Sequence, residues 1–556
     1  MKKLDSRLPD FALVERQTML RGIGYEKEAL RRSQVGVASS WGEINPASIH
    51  LDKVVAAVKN GIWAAGGTPR EFVISSVCTS MAGDDDYHLP HRDLVAGYLE
   101  TVARTNLFDA MVFVPQCDDV IPGHLMAAAR LDLPSIFVTG GYMTLEKCDG
   151  TPVDPLDIAS KHLNKYKGGE YSKNQFASIL DRGCAGQGAC PVFGTANTMS
   201  AMAEALGMCL TGNMSTPGAG SRLIRLAFEA GVAIMDLLKK QITPSQILTL
   251  DAFRNAVTVL MAVGGSNNGV LHLQSIASEV DIDISPDVFN EVSKKVPLIT
   301  DVCPSGSKKY YIQDLDEAGG LPAVMKELEP LLHLDAMTVT GLTLKENLAD
   351  VPCGDRKIIK KLDEPLSEDG GLLFLTGNLS PTGALIKKSG VPESMYTFTG
   401  EAKIFPWEDD AIAALQADEI ADGTIVVVRN MGPKSGLGMM LLQRFLWQLW
   451  SFGKQEKIAI ITDGRYSGTN KGCAVGHVTP EACEGGPLAL IEDGDMVTID
   501  IPNCTLHADV SEDEFNRRRA DWVRPPKFSK GKGYLNVYTK LAQSANKGAS
   551  WNYDAE

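Results

Sequence analysis

The sequence predicts a two-domain protein, in which an α/β domain with a parallel sheet precedes a mostly β domain with a few helices. Three observations lead to this fold class. The chain has 556 residues, more than one hydrophobic core usually supports. Short apolar runs alternate with helical patterns over residues 35–250, which is typical of parallel strands joined by crossover helices. After residue 350 the pattern changes to short β-rich segments separated by turns.

The first domain is predicted over residues 1–355 and the second over residues 366–556, with the charged stretch 356–364 as the linker. In the first domain, loops at the carboxyl ends of the parallel strands are the expected place for ligand-binding residues. The second domain is expected to be β-rich because its apolar segments are short and bounded by Gly, Pro, Asn and Asp. Those segments are residues 371–375, 424–428, 457–461 and 496–501.

Charge and hydropathy exclude several classes of partner. The formal net charge is −15 and the sequence has no extended Lys/Arg-rich stretch, so nucleic acid is not an expected ligand. Uninterrupted apolar stretches fall far short of the roughly 20 residues that cross a bilayer. Because the charged N-terminus lacks an apolar signal core, a cytoplasmic location is expected. The 11 cysteines follow no regular spacing, which favours reduced thiols over a disulfide framework.

The first segment with chemical potential follows the apolar run 111–114. Residues 117–123 read Cys-Asp-Asp-Val-Ile-Pro-Gly, which places the thiol of Cys117 and the carboxylates of Asp118 and Asp119 on one loop. Thiolates suit iron-sulfur clusters or zinc, whereas carboxylates suit magnesium or calcium. A structural interpretation stays open, in which Cys117 is core and the two Asp residues cap the following helix.

A glycine-rich segment with two cysteines is the second candidate. Residues 183–190 read Gly-Cys-Ala-Gly-Gln-Gly-Ala-Cys, and a helical pattern follows from residue 194 to 207. Backbone amides at the start of that helix favour an anion such as a carboxylate or a cluster sulfide. The alternative is a tight turn with two buried thiols at Cys184 and Cys190.

The third segment, residues 462–470, reads Thr-Asp-Gly-Arg-Tyr-Ser-Gly-Thr-Asn and follows an apolar run. Its polar side chains are therefore expected at the end of a strand. Arg465 suits bidentate binding of a substrate carboxylate. Ser467 is a candidate base provided that a metal or a neighbouring charge lowers its pKa. A turn that needs Gly and Asp for backbone reasons is the structural alternative.

These three segments, in this order, resemble the dihydroxy-acid and 6-phosphogluconate dehydratase family. The resemblance spans roughly residues 35–525. Six further stretches carry it: 44–51 (Ile-Asn-Pro-Ala-Ser-Ile-His-Leu), 136–141 (Ile-Phe-Val-Thr-Gly-Gly), 264–268, 338–347, 377–383 and 476–482.

The resemblance implies a C-terminal β-barrel-like domain, an active site between the domains, and a homodimer or a dimer of dimers. It implies a hydro-lyase that dehydrates a small 2,3-dihydroxy carboxylic acid to a 2-keto acid. It also implies a 2Fe-2S cluster held by three cysteines, acting on the departing 3-hydroxyl. Magnesium held by carboxylates and a carbamylated lysine binds the substrate, and a serine removes the C2 proton.

Matched position by position, part of this machinery is present. Cys117 and Cys190 match cluster cysteines, Asp118 matches a magnesium ligand, and Ser467 matches the base. Arg465, His50 and Thr469 are expected to bind substrate.

Four other positions carry residues that cannot play the family's role. Ala47 stands where the third cluster cysteine belongs, Val77 where a magnesium Asp belongs, and Asp119 where the carbamylated lysine belongs. The segment 440–442, Met-Leu-Leu, stands where a magnesium Glu belongs.

Two hypotheses follow. In one, the chain is a hydro-lyase of a specialised pathway whose metal site is rebuilt. Cys78 or Cys184 then replaces the missing thiolate and Asp119 keeps a carboxylate in the metal site, with further carboxylates from residues 84–86. In the other, cluster and magnesium are both absent, leaving a different activity or a non-catalytic small-molecule-binding protein. The aromatic helix predicted over residues 441–452 is interpreted as a core or dimer-interface helix in preference to a substrate wall.

Overall fold

The computed structural model describes residues 8–81, 87–148, 150–306, 310–469, 471–526 and 532–553. The first domain is built on a parallel sheet of four strands in the order β2-β1-β3-β4. Strands β1 and β3 are buried at every position, as expected where both faces of a parallel sheet are covered. The strands are β1 Gln34–Ser39, β2 Thr68–Val73, β3 Ala110–Val114 and β4 Ser135–Phe137.

Helices cover both faces of this sheet and extend beyond it. They are α1 Asp10–Gly22, α2 Lys27–Arg31, α3 Leu51–Ala64, α4 His88–Asn106, α5 Val120–Leu131, α6 Pro155–Asp157, α7 Leu163–Lys167, α8 Lys173–Leu180, α9 Thr195–Ala205, α10 Ser221–Lys240, α11 Pro244–Ile247, α12 Leu250–Ala262, α13 Asn268–Ser278, α14 Pro286–Ser293, α15 Ile312–Glu317, α16 Gly320–Glu327 and α17 Leu344–Leu348. A two-stranded hairpin, β5 Glu146–Cys148 and β6 Thr151–Val153, precedes α6, and a π-helical turn, Ile158–His162, follows it.

The crossing of α3 and α10 depends on two glycines. A Cβ atom at Gly61 would lie 2.1 Å from the carbonyl oxygen of Phe228, and one at Gly231 would lie 2.2 Å from that of Val58. No side chain fits at either position, so the helices approach backbone to backbone. This close contact fixes the position of α3, the helix that follows the loop after β1.

The second domain is built on an eight-stranded mixed sheet in the order β16-β15-β9-β10-β12-β14-β8-β7. Thr376 bridges its two ends, because its N–H donates to Cys504 and its carbonyl oxygen accepts from Leu506, each at 3.0 Å. The sheet therefore curls into a nearly closed barrel, and the predicted fold class is confirmed. The strands are β7 Leu373–Leu375, β8 Gly383–Ile386, β9 Thr397–Phe405, β10 Ile425–Val428, β11 Leu441–Leu442, β12 Ala459–Thr462, β13 Arg465–Tyr466, β14 Ala474–Thr479, β15 Met496–Asp500 and β16 Thr505–Ala508.

Strands β11 and β13 form a separate parallel pair, and helices pack around the barrel. These helices are α18 Glu408–Gln416, α19 Arg444–Ser451, α20 Glu512–Asp521 and α21 Tyr534–Leu541. The 3₁₀ turns are Glu329–Leu331 in the first domain and Lys388–Gly390, Glu393–Met395, Ala482–Glu484, Pro487–Leu490 and Ala545–Lys547 in the second.

The last segment of the chain returns to the first domain. The hydroxyl of Tyr534 on α21 donates to the carbonyl oxygen of Pro90 at 2.6 Å, and the N–H of Trp551 donates to Asp93 at 3.1 Å. Both acceptors lie on α4. The predicted boundaries at residues 355 and 366 stay predictions. Within the described ranges, none of the helices combines the length and apolar character needed to cross a membrane.

Candidate active site

The carboxyl ends of three neighbouring strands supply one wall of a cavity. Ala47 follows β1, Cys78 follows β2, and Cys117 follows β3. These strands are parallel and adjacent, so the loops after them meet at one edge of the sheet. Cys117 adopts a φ of 86°, a left-handed conformation that is uncommon for residues other than glycine and is concentrated at functional sites.

The opposite wall comes from the second domain. Gln443, Ser467 and Thr469 line the same cavity as the loops of the first domain. The cavity has a volume of about 90 Å³. One water needs roughly 10–15 Å³ by this measure, so the space suits a ligand of several heavy atoms. The candidate site is therefore located between the two domains.

Three thiols line this cavity. Cys78 packs against Ala47 and Cys117, and its hydrogen bond with the Cys117 thiol lowers the pKa of Cys78 to about 7. The same hydrogen bond raises the pKa of Cys117 well above its ordinary value. Cys190 presents exposed surface to the cavity, while the enclosing protein raises the pKa of its thiol. The structure thus places Cys78 next to the alanine whose position the sequence assigns to a cluster cysteine.

Cys184 lies at the edge of this group. Its thiol contacts the sulfur of Met143 at 3.6 Å, and Met143 lines the cavity. Cys184 is exposed, so the segment is not a turn with two buried thiols. Partial enclosure of its thiol raises the pKa of Cys184. Cys184 is therefore a weaker thiolate donor than Cys78 at neutral pH.

Asp118 and Asp119 point to different regions. Asp118 lines the cavity and accepts a hydrogen bond from the N–H of Ala196, at the start of α9. Burial raises the pKa of the Asp118 carboxyl. Asp119 occupies the N-cap position of α5 but makes no capping hydrogen bond with its side chain. The alternative in which both Asp residues cap the helix therefore finds no support at Asp119.

Asp119 is the centre of a buried ion-pair network, which we define as Asp119, His88, His272 and Arg465. His88 contacts one carboxylate oxygen through its Nδ1, and His272 Nε2 lies 3.0 Å from the other. Arg465 Nη1 lies 3.6 Å from that second oxygen. Burial alone would raise the pKa of Asp119, but the charges of His88 and Arg465 hold it well below its usual range. The predicted metal carboxylate is thus engaged by side chains of the chain itself.

Arg465 and His50 do not line the cavity described above. Arg465 is 1% exposed, and its Nε also donates to the carbonyl oxygen of Met439 at 2.9 Å. The Nε2 of His50 lies 2.7 Å from the carbonyl oxygen of Gly140, and burial lowers the pKa of the ring. In the structure both side chains support the walls, and their expected role in substrate binding stays a prediction.

Ser467 and Thr469 face the cavity from the barrel. Their hydroxyl oxygens lie 2.9 Å apart. Lys387, at the end of β8, donates from Nζ to the carbonyl oxygen of Gly468 at 2.8 Å. Burial lowers the pKa of Lys387 to about 7. Residues 467–469, which we call the serine loop, are therefore fixed by a hydrogen bond from a buried lysine. The sequence analysis missed Lys387 because it lies 80 positions before Ser467 in the chain.

Comparison with known proteins decides the family. The sequence models of the dihydroxy-acid/6-phosphogluconate dehydratase N-terminal and C-terminal domains match residues 32–347 and 357–549. The chain belongs to this family. It is 44% identical over 539 residues to the dihydroxy-acid dehydratase of Ruminiclostridium cellulolyticum, covering 96% of this chain and 97% of that one. It is 41% identical over 559 residues to that of Ignicoccus hospitalis, covering all of both chains. The resemblance stated above is confirmed, and the chain is a dehydratase of the hydro-lyase class.

The family's magnesium does not fit the residues that the structure describes. Of the two loop carboxylates, only Asp118 faces the cavity, while Asp119 is engaged in its network. Val77 and Met440 offer no carboxylate. Within the described part of the chain, no three His, Cys, Asp or Glu side chains form a group able to hold one metal ion. Asp84, Asp85 and Asp86 lie outside the described residues.

We define the thiol wall as Cys78, Cys117 and Cys190. An iron-sulfur cluster fits these thiols better than a single ion does. A single ion needs ligands about 2.0–2.3 Å from one point. The thiolates that hold a cluster bind different iron atoms and need not converge on one point. Cys78, Cys117 and Cys190 face one space in this way. Asp154, which the sequence analysis missed, lines the same cavity; no motif of the sequence singled it out.

Proposed function

We propose that the chain dehydrates a small 2,3-dihydroxy carboxylic acid to a 2-keto acid. The observation that carries this proposal is that Cys78, Cys117 and Cys190 line the same cavity as Ser467. A substrate between the walls would present its 3-hydroxyl to the thiols and its C2 hydrogen to the serine.

The three thiols are the residues that would hold a 2Fe-2S cluster. When bound, such a cluster would supply a Lewis acid for the departing 3-hydroxyl. We assign no role to magnesium, since Asp118 is the one carboxylate matched to the family's magnesium site that faces the cavity in the described residues. The first turn of α9 lines the cavity at Gly194 and Thr195, and the positive end of its dipole favours the substrate carboxylate.

Ser467 is the proposed base. As an alkoxide it would accept the C2 proton while the C3–O bond breaks, and that proton would leave with the departing hydroxide as water. The resulting enol tautomerises to the 2-keto acid. The hydroxyl of Thr469, 2.9 Å from Ser467, can donate to an alkoxide and so stabilise it.

The finer parts of the proposal rest on different supports. A specialised pathway is favoured because Ala47, Val77 and Asp119 stand at positions that the resemblance assigns to ligands. A reducing, cytoplasmic compartment is favoured because none of the described cysteines is recorded in a disulfide, which is usual where thiols are kept reduced. A homodimer or a dimer of dimers follows from the family resemblance.

The test is keto acid formation by protein purified without oxygen, together with iron and sulfide analysis. We expect iron and sulfide in the wild type and keto acid from at least one 2,3-dihydroxy acid. Ser467→Ala is expected to lower turnover by about 10²–10⁴-fold, while Ser394→Ala, on the barrel surface, is the matched control. Absence of iron, sulfide and keto acid would favour the alternative of a metal-free protein with another activity or a binding role.

A further inference from the structure

A second cavity opens beside the candidate active site. Asp154, Val192 and Thr469 line both spaces, so the second space is adjacent to a ligand held between the thiols and Ser467. We call this second space the aromatic chamber. Its apolar and aromatic walls include Val192, Pro304, Tyr311, Leu446, Trp447 and Trp450.

Helix α19 supplies the aromatic wall because its two sides have different partners. Phe445, Leu446 and Leu449 are buried against α18 and one face of the strands β10 and β12. Trp447 and Trp450 are three positions apart, so they lie on one face of the helix. Both are half-buried and both line the chamber. The sequence favoured a core or dimer-interface helix over a substrate wall. In the structure one side of the helix is packed in a core, and the other side lines a cavity adjacent to the candidate active site.

Four charged residues, two of each sign, also line the chamber: Asp154, Asp157, Lys161 and Lys471. Lys161, on the π-helical turn, pairs with Asp157, and its Nζ lies 5.8 Å from the centre of the Trp450 ring. A cation between a carboxylate and an indole face is already stabilised by both. The remaining walls are mostly apolar or aromatic, which favours an apolar, planar group over an anionic one.

We propose that the aromatic chamber binds the substituent beyond C3 of the substrate, and that this substituent is apolar and of aryl size. The inference rests on the proposed function for the position of the carboxylate and hydroxyls. It adds the substrate class: 2,3-dihydroxy acids with an aromatic or similarly bulky apolar end, in preference to short aliphatic or phosphorylated ones.

The first test compares turnover of 2,3-dihydroxy-4-phenylbutanoate, 2,3-dihydroxybutanoate and a phosphorylated dihydroxy acid by the whole wild-type protein. Since one apolar group in a pocket changes kcat/KM by roughly 10–200-fold, we expect the phenyl acid to be preferred at least about tenfold. Trp450→Ala is expected to abolish the preference, and Trp63→Ala, on α3 away from both cavities, to retain it. Equal kcat/KM for the phenyl and short acids would overturn the inference and leave the proposed function standing.

The second test measures binding without chemistry. The probe 2-hydroxy-4-phenylbutanoate has no 3-hydroxyl and cannot be dehydrated. We expect it to raise the Tm of the wild type and of Trp63→Ala, but not of Trp450→Ala, and to exceed the effect of 2-hydroxybutanoate. If the probe raises the Tm in this way but none of the dihydroxy acids of the first test gives a keto acid, the chamber is supported and the proposed function is refuted. Preference for the phosphorylated acid that disappears in Lys161→Met would overturn the inference. Dissociation of the oligomer by Trp450→Ala, seen by gel filtration, would instead assign this face to an interface between copies.

Discussion

Cys117 and Asp119 are two residues apart on one loop, yet their side chains belong to regions with opposite properties. Cys117 faces the cavity beside Cys78. Asp119 is fully buried and contacts His88 and His272. The thiols line a cavity that is open to a ligand, whereas the Asp119 carboxylate is held by the charges of His88 and Arg465. Neighbouring residues in a motif can thus have separate functions, one in a site and one in its support.

The physical reason lies in the cost of burying each group. A thiol is weakly polar and can be buried as a neutral group without a partner. A buried carboxylate is stable only with cations and hydrogen-bond donors around it. Three elements meet that need: α4 with His88, α13 with His272 and β13 with Arg465. The network therefore also ties the barrel to the first domain.

Removing a thiol is expected to have the largest effect on function and little on stability. Cys78→Ser should remove most of the iron and sulfide, because in the proposed function its thiolate would take the place that Ala47 cannot fill. The free energy of unfolding should change by less than about 1 kcal/mol, as for substitutions that leave no buried charge unpaired. Iron and sulfide analysis, with urea denaturation of the same samples, checks both expectations.

Two variants control this experiment. Ala47→Cys added to Cys78→Ser should restore iron, because residues 47 and 78 pack against each other and against Cys117. Cys184→Ser should keep the wild-type content. Unchanged iron in Cys78→Ser, with loss in Cys184→Ser, would assign the third ligand to Cys184.

Breaking the Asp119 network is expected to act mainly on stability. Asp119→Asn leaves His88 and Arg465 buried without their anion, which should lower the free energy of unfolding by about 3–5 kcal/mol. Asp118→Asn, one residue earlier, is the matched control and should change stability by less than about 1 kcal/mol while lowering turnover. Urea denaturation and keto acid formation measure the two effects. Equal destabilisation by both variants would remove the distinction between the two regions.

Lys387 extends the comparison to a buried amine that donates to a backbone carbonyl. Burial lowers its pKa from 10.5 to about 7, so between these pH values the unfolded chain binds a proton that the folded protein does not. Stability should therefore rise with pH across this range, with a slope of at most about 1.4 kcal/mol per pH unit from this group. Lys387→Met should remove that part of the slope, seen by urea denaturation from pH 7 to 10. Parallel wild-type and variant curves would show that Lys387 keeps its ordinary pKa.

Much of the fold could be predicted from local pattern. The predicted strand segment 424–428 contains β10, and 457–461 overlaps β12. The glycine-rich segment ends at Cys190, and α9 begins at Thr195. The packing of residues 534–553 against α4 could not be predicted, because it depends on contacts between positions more than 400 residues apart.

The sequence by itself determined the family, the two kinds of domain and the three loops that meet at the cavity, because strand and helix periodicity and motif order are local properties. Only the tertiary structure decided which side chains of those loops face one another. It placed Cys78 beside Ala47, turned Asp119 towards His88 and His272, and set Lys387 behind the serine loop. The direction of a side chain depends on the burial and charge of its neighbours in space, and those neighbours come from distant parts of the chain.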